Sequence, residues 1–298
     1  MNIKLSENFR AVFYAPFYAA QALGFYAAES VDVELLSSSA PGGGVSALLD
    51  GTVDLTWGGP MRVMKANHQQ PGSPLICFCE VVARDPFYLV GRNNRRDFRL
   101  ADLRSLRFAA VAEVPTPWLC LAHDLRENGI DPNALNRAPA RSMAENFEGL
   151  RRGELDIVQV FEPYAALALQ EGAGEILYAA SGRGPTVYTA FTATRDGVDR
   201  HRSAFAKMVR AMQHMQHWLA EHPAEELAES IQSFFPDIPP EILVNSLRRY
   251  HQAGIWASAP EVSRKGFARL AESLLSGGFI ARMPVYEDCV DETLRIGL

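Results

Sequence analysis

The chain alternates short apolar segments with amphipathic ones through residues 3–180. Residues 31–36 alternate apolar and polar side chains, the period of a half-exposed strand, whereas residues 75–82 are nearly continuously apolar, as in a buried strand. Pro16 in a first turn, and Ser142 followed three residues later by Glu145, are typical of helix starts. Strands are predicted at 3–9, 31–36, 53–57, 75–82, 87–91, 107–112, 155–161 and 175–180, with helices between them.

The periodicity changes beyond residue 197, where amphipathic helices are predicted at 200–221, 224–234, 241–253 and 260–276. No strand is predicted there, so we expect this helical C-terminal extension to wrap around the first lobe. In the earlier part, strands that alternate with helices predict an α/β fold with mainly parallel sheets. A length of 298 residues favours two lobes, the second beginning near Asp85. In such sheets, ligands bind beyond the carboxyl ends of the strands.

Charge and composition exclude several classes of partner. The net charge is −6 and the charges are interspersed, so no basic stripe is available for nucleic acid. No segment approaches the roughly 20 apolar residues of a membrane helix. The N-terminal residues do not form a secretory signal, which predicts a cytoplasmic protein if Met1 is the native start and a periplasmic one if a leader has been removed.

The cysteines and histidines offer only weak metal motifs. Cys77 and Cys79 lie in an apolar segment, which favours buried free thiols over a metal or redox site. His214 and His217 lie three apart on one predicted helix, but they lack the carboxylate of a His-Glu-x-x-His motif, which favours a solvated helix face. We therefore predict no metal and no cofactor.

Loops that follow strands of the first lobe carry the first candidate ligand-binding residues. Loop 8–18 has five aromatic residues in eleven positions, and aromatic walls are typical of small-molecule pockets. The alternative for Phe13 and Phe17 is a core stripe. Loop 39–44 ends in three glycines before a helix, where free amides favour an anionic or strongly polar group, although a plain turn is the alternative. The candidates from these two loops are Phe9, Arg10, Phe13, Tyr14, Gly42, Gly43 and Gly44.

Further candidates lie at later strand ends. Trp57 ends the predicted strand 53–57 and Gly59 follows it, and Trp57 fits a stacking wall or the core equally well. Arg84 is placed at the lobe crossing to meet a ligand anion, or to pair with Asp85.

In the second lobe, Thr116 offers a hydroxyl and Trp118 a ring. Glu162 follows a strand, where it could accept hydrogen bonds from a ligand or cap the next helix. Tyr188, near the return to the first lobe, completes the predicted set.

The segment 13–26, FYAPFYAAQALGFY, resembles the opening of ABC-transporter substrate-binding proteins of the nitrate/sulfonate/taurine and thiamine-pyrimidine type. Residues 31–35, the glycine loop, 48–55, 150–157 and 161–163 resemble the same family in the same order, over nearly the whole chain. The resemblance implies a two-lobed periplasmic-binding-protein type II fold. Lobe I would comprise 1–86 and 191–298, lobe II would comprise 87–190, and hinges near 84–87 and 189–192 would close a ligand cleft between them.

The family that this chain resembles also contains enzymes. Its pyrimidine synthases carry a cofactor lysine and a histidine after the strand that matches 53–57, whereas residues 57–62 contain neither here. Those synthases also carry a cysteine cluster in their second half, and this chain has no cysteine between Cys120 and Cys289. A desulfinase branch uses a cysteine in the first loop, and residues 8–18 contain none.

The resemblance therefore favours a binding protein without catalytic activity. We predict the substrate-binding component of an ABC importer for an organic anion or a pyrimidine-like or aromatic compound, with an ABC permease as its partner. The alternative is a cytoplasmic enzyme of the pyrimidine-synthase or desulfinase branch, motivated by the missing signal sequence.

Overall fold

The computed structural model describes residues 2–38, 40–92, 95 and 97–295. Met1 and Ser39, which entered the predictions on the N-terminus and the glycine loop, lie outside the described residues. The strands are β1 (Asn2–Ser6), β2 (Asp32–Leu36), β3 (Leu55–Gly58), β4 (Leu75–Val82), β5 (Tyr88–Gly91), β6 (Phe108–Ala109), β7 (Ile157–Val160), β8 (Glu175–Ala179) and β9 (Thr189–Thr194).

The helices follow the predicted order, but the helix predicted from Pro16 to Glu29 is divided in two at Gly24, whose φ is +75°, and the last helix was not predicted. They are α1 (Ala15–Ala22), α2 (Phe25–Ala28), α3 (Gly43–Leu49), α4 (Met61–Gln69), α5 (Thr116–Glu127), α6 (Met143–Arg151), α7 (Tyr164–Gln170), α8 (Arg195–Glu221), α9 (Ala224–Ile231), α10 (Pro240–Gln252), α11 (Arg264–Ser276) and α12 (Tyr286–Cys289). The capping box predicted at Ser142 is confirmed, because its hydroxyl accepts from the backbone of Glu145 and the Glu145 carboxylate accepts in return.

The strands form two sheets, a five-stranded one in the order β2-β1-β3-β9-β4 and a four-stranded one in the order β6-β7-β5-β8. In the five-stranded sheet, β1 pairs in parallel with β2 and β3, whereas β9 is antiparallel to β3 and β4. In the four-stranded sheet, β6 and β7 are parallel and β5 is antiparallel to β7 and β8. One strand of each sheet therefore runs against the others, and the α/β class with two sheets is confirmed.

Strand β9 is an element that the sequence analysis did not predict. Its segment was interpreted as a hinge crossing, but it forms the antiparallel strand between β3 and β4 and is almost completely buried. The chain therefore returns to the five-stranded sheet by Thr189, and the crossing precedes β9. The lobe boundaries at 86 and 191 stay a prediction.

Two crossings between the sheets run side by side. The backbone N–H of Tyr188 donates to the carbonyl of Val82 at 2.7 Å, and that of Thr186 donates to Ala83 at 2.8 Å. Because both crossings are paired by backbone hydrogen bonds, the chain passes twice between the sheets at one place.

The C-terminal extension covers more than the first lobe, contrary to expectation. Helices α8 and α9 pack on α1 beside the five-stranded sheet, whereas α10 contacts α7, and α11 contacts α5 beside the four-stranded sheet. Apolar residues of α11 share one buried cluster with Leu119 and Cys120 of α5, and burying this surface stabilises the contact. Among the described helices, none is both long enough and apolar enough to cross a membrane.

Candidate functional site

A cavity lies between the two sheets, at the loops that follow β1, β3 and β6. The free space inside it is only about 20 Å3, room for roughly one water molecule. The lining residues come from both sides of the paired crossings. They are Asn8, Phe9, Phe13, Tyr14, Gly59, Met61, Arg62, Phe87, Val114, Pro115, Thr116 and Tyr188.

Aromatic rings form the apolar wall of this cavity. The ring of Phe13 meets that of Phe9 at 6.0 Å and that of Tyr188 at 6.2 Å between centroids, both edge to face. Phe87, on the first crossing, lies 6.1 Å from Tyr188. Edge-to-face contacts fix the orientation of each ring, so this wall is a preformed apolar surface on which planar or aliphatic groups can pack.

Polar groups gather at the other end of the cavity. The side-chain amide of Asn8 donates to the Tyr14 hydroxyl at 3.3 Å, and its carbonyl oxygen accepts from the backbone N–H of Gly42 at 2.8 Å. The hydroxyl of Thr116 lies 3.9 Å from the position of a Cβ atom built on Gly59, so the two sides approach closely here. Within the described chain, the buried hydroxyl of Tyr188 has no hydrogen-bond partner, and a bound ligand could satisfy it.

Arg62 is the cationic group on the cavity wall. Its side chain is half-buried, and the described residues place no carboxylate within ion-pair distance of its guanidinium. Burial lowers the pKa of Arg62, an effect that the nearby Tyr14 hydroxyl partly opposes. Arginine nevertheless stays protonated at neutral pH. A half-buried charge without a partner is costly, and a bound anion would compensate it.

Two helices begin at the cavity. Gly59 lies two residues before the first residue of α4, and Thr116 is the first residue of α5. Neither helix has a side-chain cap on its first N–H groups. Uncapped helix starts carry free N–H donors and partial positive charge. Together with Arg62, they give this end of the cavity a positive potential.

Comparison with known proteins identifies the family. A model of the NMT1-like family matches residues 9–233, well over half of the chain. The chain belongs to the NMT1-like family. YtlA of Bacillus subtilis, a provisionally named binding protein, is 24% identical to this NMT1-like protein over 295 residues, which cover 98% of this chain and 88% of YtlA.

Solved structures confirm the predicted fold. The periplasmic aliphatic sulphonate binding protein SsuA of Escherichia coli has a TM-score of 0.76 and 13% identity, covering 99% of the NMT1-like chain and 98% of SsuA. The periplasmic nitrate-binding protein NrtA of Synechocystis PCC 6803 has a TM-score of 0.68 and 18% identity, covering 93% and 80% of the two chains. At these identities the likeness establishes a shared periplasmic-binding-protein architecture.

The cavity brings together six of the predicted ligand-binding residues, namely Phe9, Phe13, Tyr14, Gly59, Thr116 and Tyr188. Their assignment as ligand contacts stays a prediction. The sequence analysis missed six lining residues, Asn8, Met61, Arg62, Phe87, Val114 and Pro115. Arg62 lies close to the strand-to-helix turn at Gly59-Pro60, a position that could have indicated a binding role. Which residue of the first helical turn faces the cavity depends on how the helix is rotated, and the sequence does not give that rotation.

Both predicted tryptophans lie away from the cavity. Trp57 is 1% exposed and stacks on Phe17 at 4.5 Å between centroids, so it is a core residue. Trp118 packs between Phe108 and the guanidinium of Arg137, which lies 4.3 Å from the ring centroid. The ring of Trp118 therefore contributes to packing within the four-stranded sheet and its helices.

The charged candidates are also engaged elsewhere. Arg10 donates to both carboxylate oxygens of Glu7, at 2.8 and 3.0 Å. Arg84 donates to the carbonyl of Ser181 at 3.4 Å, between the two crossings. Glu162 is fully buried, and its carboxylate caps α7 by accepting from Ala166 at 2.8 Å. The helix-cap interpretation of Glu162 therefore describes its contacts, and the ligand interpretation does not.

The glycine loop supports the cavity without lining it. Gly42 has a φ of +89°, a conformation that favours glycine, and a Cβ atom there would lie 2.5 Å from Nη1 of Arg62. The guanidinium therefore rests on the backbone of Gly42. Gly43 and Gly44 begin α3 and do not reach the cavity wall.

The cysteines are buried free thiols, the interpretation that the sequence favoured. Burial raises the pKa of Cys120 to about 12, which makes it a poor nucleophile at neutral pH. The described residues contain no group of three or more His, Cys, Asp or Glu side chains that could hold a metal ion.

Proposed function

We propose that this NMT1-like protein binds a small organic anion in the cavity between its two sheets. The observation that carries the proposal is the half-buried guanidinium of Arg62, which has no carboxylate partner among the described residues. A partly desolvated guanidinium without a carboxylate partner gains a charged partner when an anion binds beside it. The starts of α4 and α5 supply further donors for the same charge.

The opposite wall indicates the rest of the ligand. Phe9, Phe13 and Phe87 present rings to the cavity, so an oxyanion joined to a short aliphatic or aromatic body matches both ends. Related structures support this class, because SsuA is a sulphonate-binding protein and NrtA a nitrate-binding protein. Both of those ligands are oxyanions.

Binding is proposed to require opening and closing of the two halves. Free space of about 20 Å3 cannot admit an organic anion, so the walls have to separate for entry. The paired crossings at Val82–Tyr188 and Ala83–Thr186 are the place where such a hinge would act. A ligand that contacts Arg62 on one side and Thr116 on the other favours the closed form.

We further propose that the protein delivers its ligand to an ABC permease, outside the cytoplasmic membrane. The support is that a related structure from Staphylococcus aureus is named a ligand-binding component of an ABC-type import system. Cell fractionation and co-purification with a membrane component would test this, and recovery only in the cytoplasm without a membrane partner would contradict it. The absence of catalysis stays a prediction that a turnover assay on the bound compound tests.

The binding proposal is tested by titration calorimetry with three matched series of compounds. Alkyl and aryl sulphonates or carboxylates provide the anions, the corresponding amides provide neutral controls, and the corresponding amines provide cations. We expect saturable binding of at least one anion and none of its neutral or cationic counterpart. Equal binding of an anion and its amide would contradict the role assigned to Arg62.

A further inference from the structure

A buried carboxylate joins the four-stranded sheet to the C-terminal extension. Glu162 follows β7 and is fully buried. Its Oε1 accepts from Nη1 of Arg249 at 3.0 Å, and its Oε2 accepts from the hydroxyl of Ser246 at 3.3 Å, both on α10. The backbone N–H of Glu162 donates to the hydroxyl of Tyr250, also on α10, at 2.9 Å. Three side chains of α10, at positions 246, 249 and 250, therefore hold the one residue that follows β7.

Helix α10 also contacts the part of the first lobe that forms the cavity. It packs against the turn Val12–Tyr14, which carries two residues of the cavity wall. Just after α10, the indole N–H of Trp256 donates to the carbonyl of Phe13 at 2.9 Å. The helix therefore bridges the β1–α1 loop and the turn that follows β7.

The residue before Glu162 joins the same two parts through apolar contacts. The ring of Phe161 lies 5.4 Å from that of Phe13 and 5.3 Å from that of Phe87, and both of these rings line the cavity. Separation of the cavity walls would pull Phe161 from Phe13 and Glu162 from α10 in one movement. Opening would then expose both Glu162 and Arg249 to water.

We propose that Arg249 is a positioning residue whose ion pair with Glu162 latches the closed form and sets how long the cavity retains its anion. The latch follows from the geometry of the two halves; its effect on retention rests on the proposed function. A buried carboxylate is tolerated only while it is paired and hydrogen-bonded, so loss of Arg249 penalises the closed form and leaves the open form, in which Glu162 meets water, unaffected.

Removal of the pair has a pH signature. Burial raises the pKa of Glu162, and Arg249 opposes that effect. The other ionisable groups facing it are the hydroxyls of Tyr250 on α10 and Tyr88 on β5, and the pKa of each is itself raised by burial. Neither phenol titrates below pH 8. Without Arg249, closure therefore requires a proton on Glu162, and binding tightens as pH falls.

The test compares Arg249→Met with Arg248→Met, its neighbour on α10. Arg248 is exposed and pairs with Glu225 of α9, so its loss does not touch the bridge to the turn after β7. With a sulphonate that the wild type binds, we expect Arg249→Met at pH 8 to bind at least about 10-fold more weakly through faster dissociation, equivalent to ~1.4 kcal/mol. The defect relative to wild type should shrink toward pH 5.5.

A second variant separates latching from general damage. In Glu162→Gln/Arg249→Met the carboxylate is replaced by an amide that still accepts from Ala166, so affinity at pH 8 should recover by several fold over the single variant. Three outcomes would each overturn the latch. Arg248→Met could weaken binding as much as Arg249→Met, the defect of Arg249→Met could stay constant with pH, or the double variant could fail to recover affinity.

Scattering without ligand distinguishes failure of the latch from failure of the proposed function. If the wild type binds none of the anions, the binding proposal fails. The radius of gyration of Arg249→Met at pH 8, measured without ligand, should still exceed that of wild type. At pH 5.5 it should return toward the wild-type value. Identical radii for the two folded proteins at both values of pH would overturn the latch, whatever the protein binds.

Discussion

Replacement of Arg62 by methionine separates the charge of this side chain from its volume. Methionine keeps the unbranched aliphatic part of the side chain but lacks the guanidinium that rests on Gly42. The variant removes the guanidinium that faces the cavity without a carboxylate partner within the described residues. Binding and stability should therefore respond in opposite directions, which is unusual for a substitution at a half-buried position.

The expected loss of affinity follows from the contacts that a bound anion would make. Hydrogen bonds to charged groups contribute about 1.5–3 kcal/mol, which corresponds to roughly a 10- to 150-fold rise in Kd. The starts of α4 and α5 would retain part of the binding. Arg62→Lys keeps the charge but not the planar pair of donors, so it should fall between methionine and wild type.

The stability of the empty protein should not fall. Burial disfavours the charged form of Arg62, and only the Tyr14 hydroxyl partly opposes that effect, so removal of the guanidinium eliminates a desolvation cost. We expect the Tm of unliganded Arg62→Met to equal or exceed that of wild type in differential scanning calorimetry.

The matched control is Arg282→Met, which removes an exposed arginine far along the chain. It should change neither Kd nor Tm. The reasoning would be refuted by an Arg62→Met protein that binds the anion as tightly as wild type. A folded variant that loses several kcal/mol of unfolding free energy would refute the assignment of Arg62 as an uncompensated charge.

Three further predictions concern the surroundings of the site. Trp57→Ala should lower the free energy of unfolding by about 3–5 kcal/mol, as for a core residue, and urea unfolding measures this loss. Trp118→Ala should leave the Kd of the anion unchanged in titration calorimetry. Weaker binding by the Trp118 variant would contradict the placement of its ring outside the cavity. Gly42→Ala should destabilise the protein by roughly 1–2 kcal/mol, because the φ of Gly42 is +89°. The added methyl group should also displace Arg62 and so weaken anion binding. An unaltered Kd would count against the contact between Arg62 and Gly42. Burial raises the pKa of Asp85 to about 7, above its unfolded value. The folded state then holds this proton more tightly, so the contribution of Asp85 to stability falls as pH rises from about 4 to 7, at up to ~1.4 kcal/mol per pH unit. Asp85→Asn should flatten that part of the pH profile in urea unfolding, and an unchanged slope would refute the shift.

The sequence predicted the parts of this protein that depend on local pattern. Strand and helix order, the capping box at Ser142 and the α/β class all follow from periodicity and from end signals that act within a few residues. The aromatic loop after β1 and Thr116 after β6 were placed on candidate walls because strand ends of such sheets meet at one edge.

The choices that the sequence left open depend on tertiary packing. A tryptophan near the end of a strand has the same local pattern in a pocket wall as in a core, and only the stacking of Phe17 on Trp57 distinguishes the two. Glu162 was identified as a polar strand-end residue, but its partner Arg249 lies 87 positions away. No pattern in one sequence connects residues so distant, which is also why the contact of α10 with α7 was not predicted.

A crystal structure with the anion that gives the strongest calorimetric response would show directly where the ligand binds. We predict difference density in the cavity between the sheets, with the charged group within about 3 Å of the Arg62 guanidinium and the ligand body against Phe13 and Phe87. A ligand whose charge lies away from Arg62, or one bound outside this cavity, would show that this cavity is not the anion site.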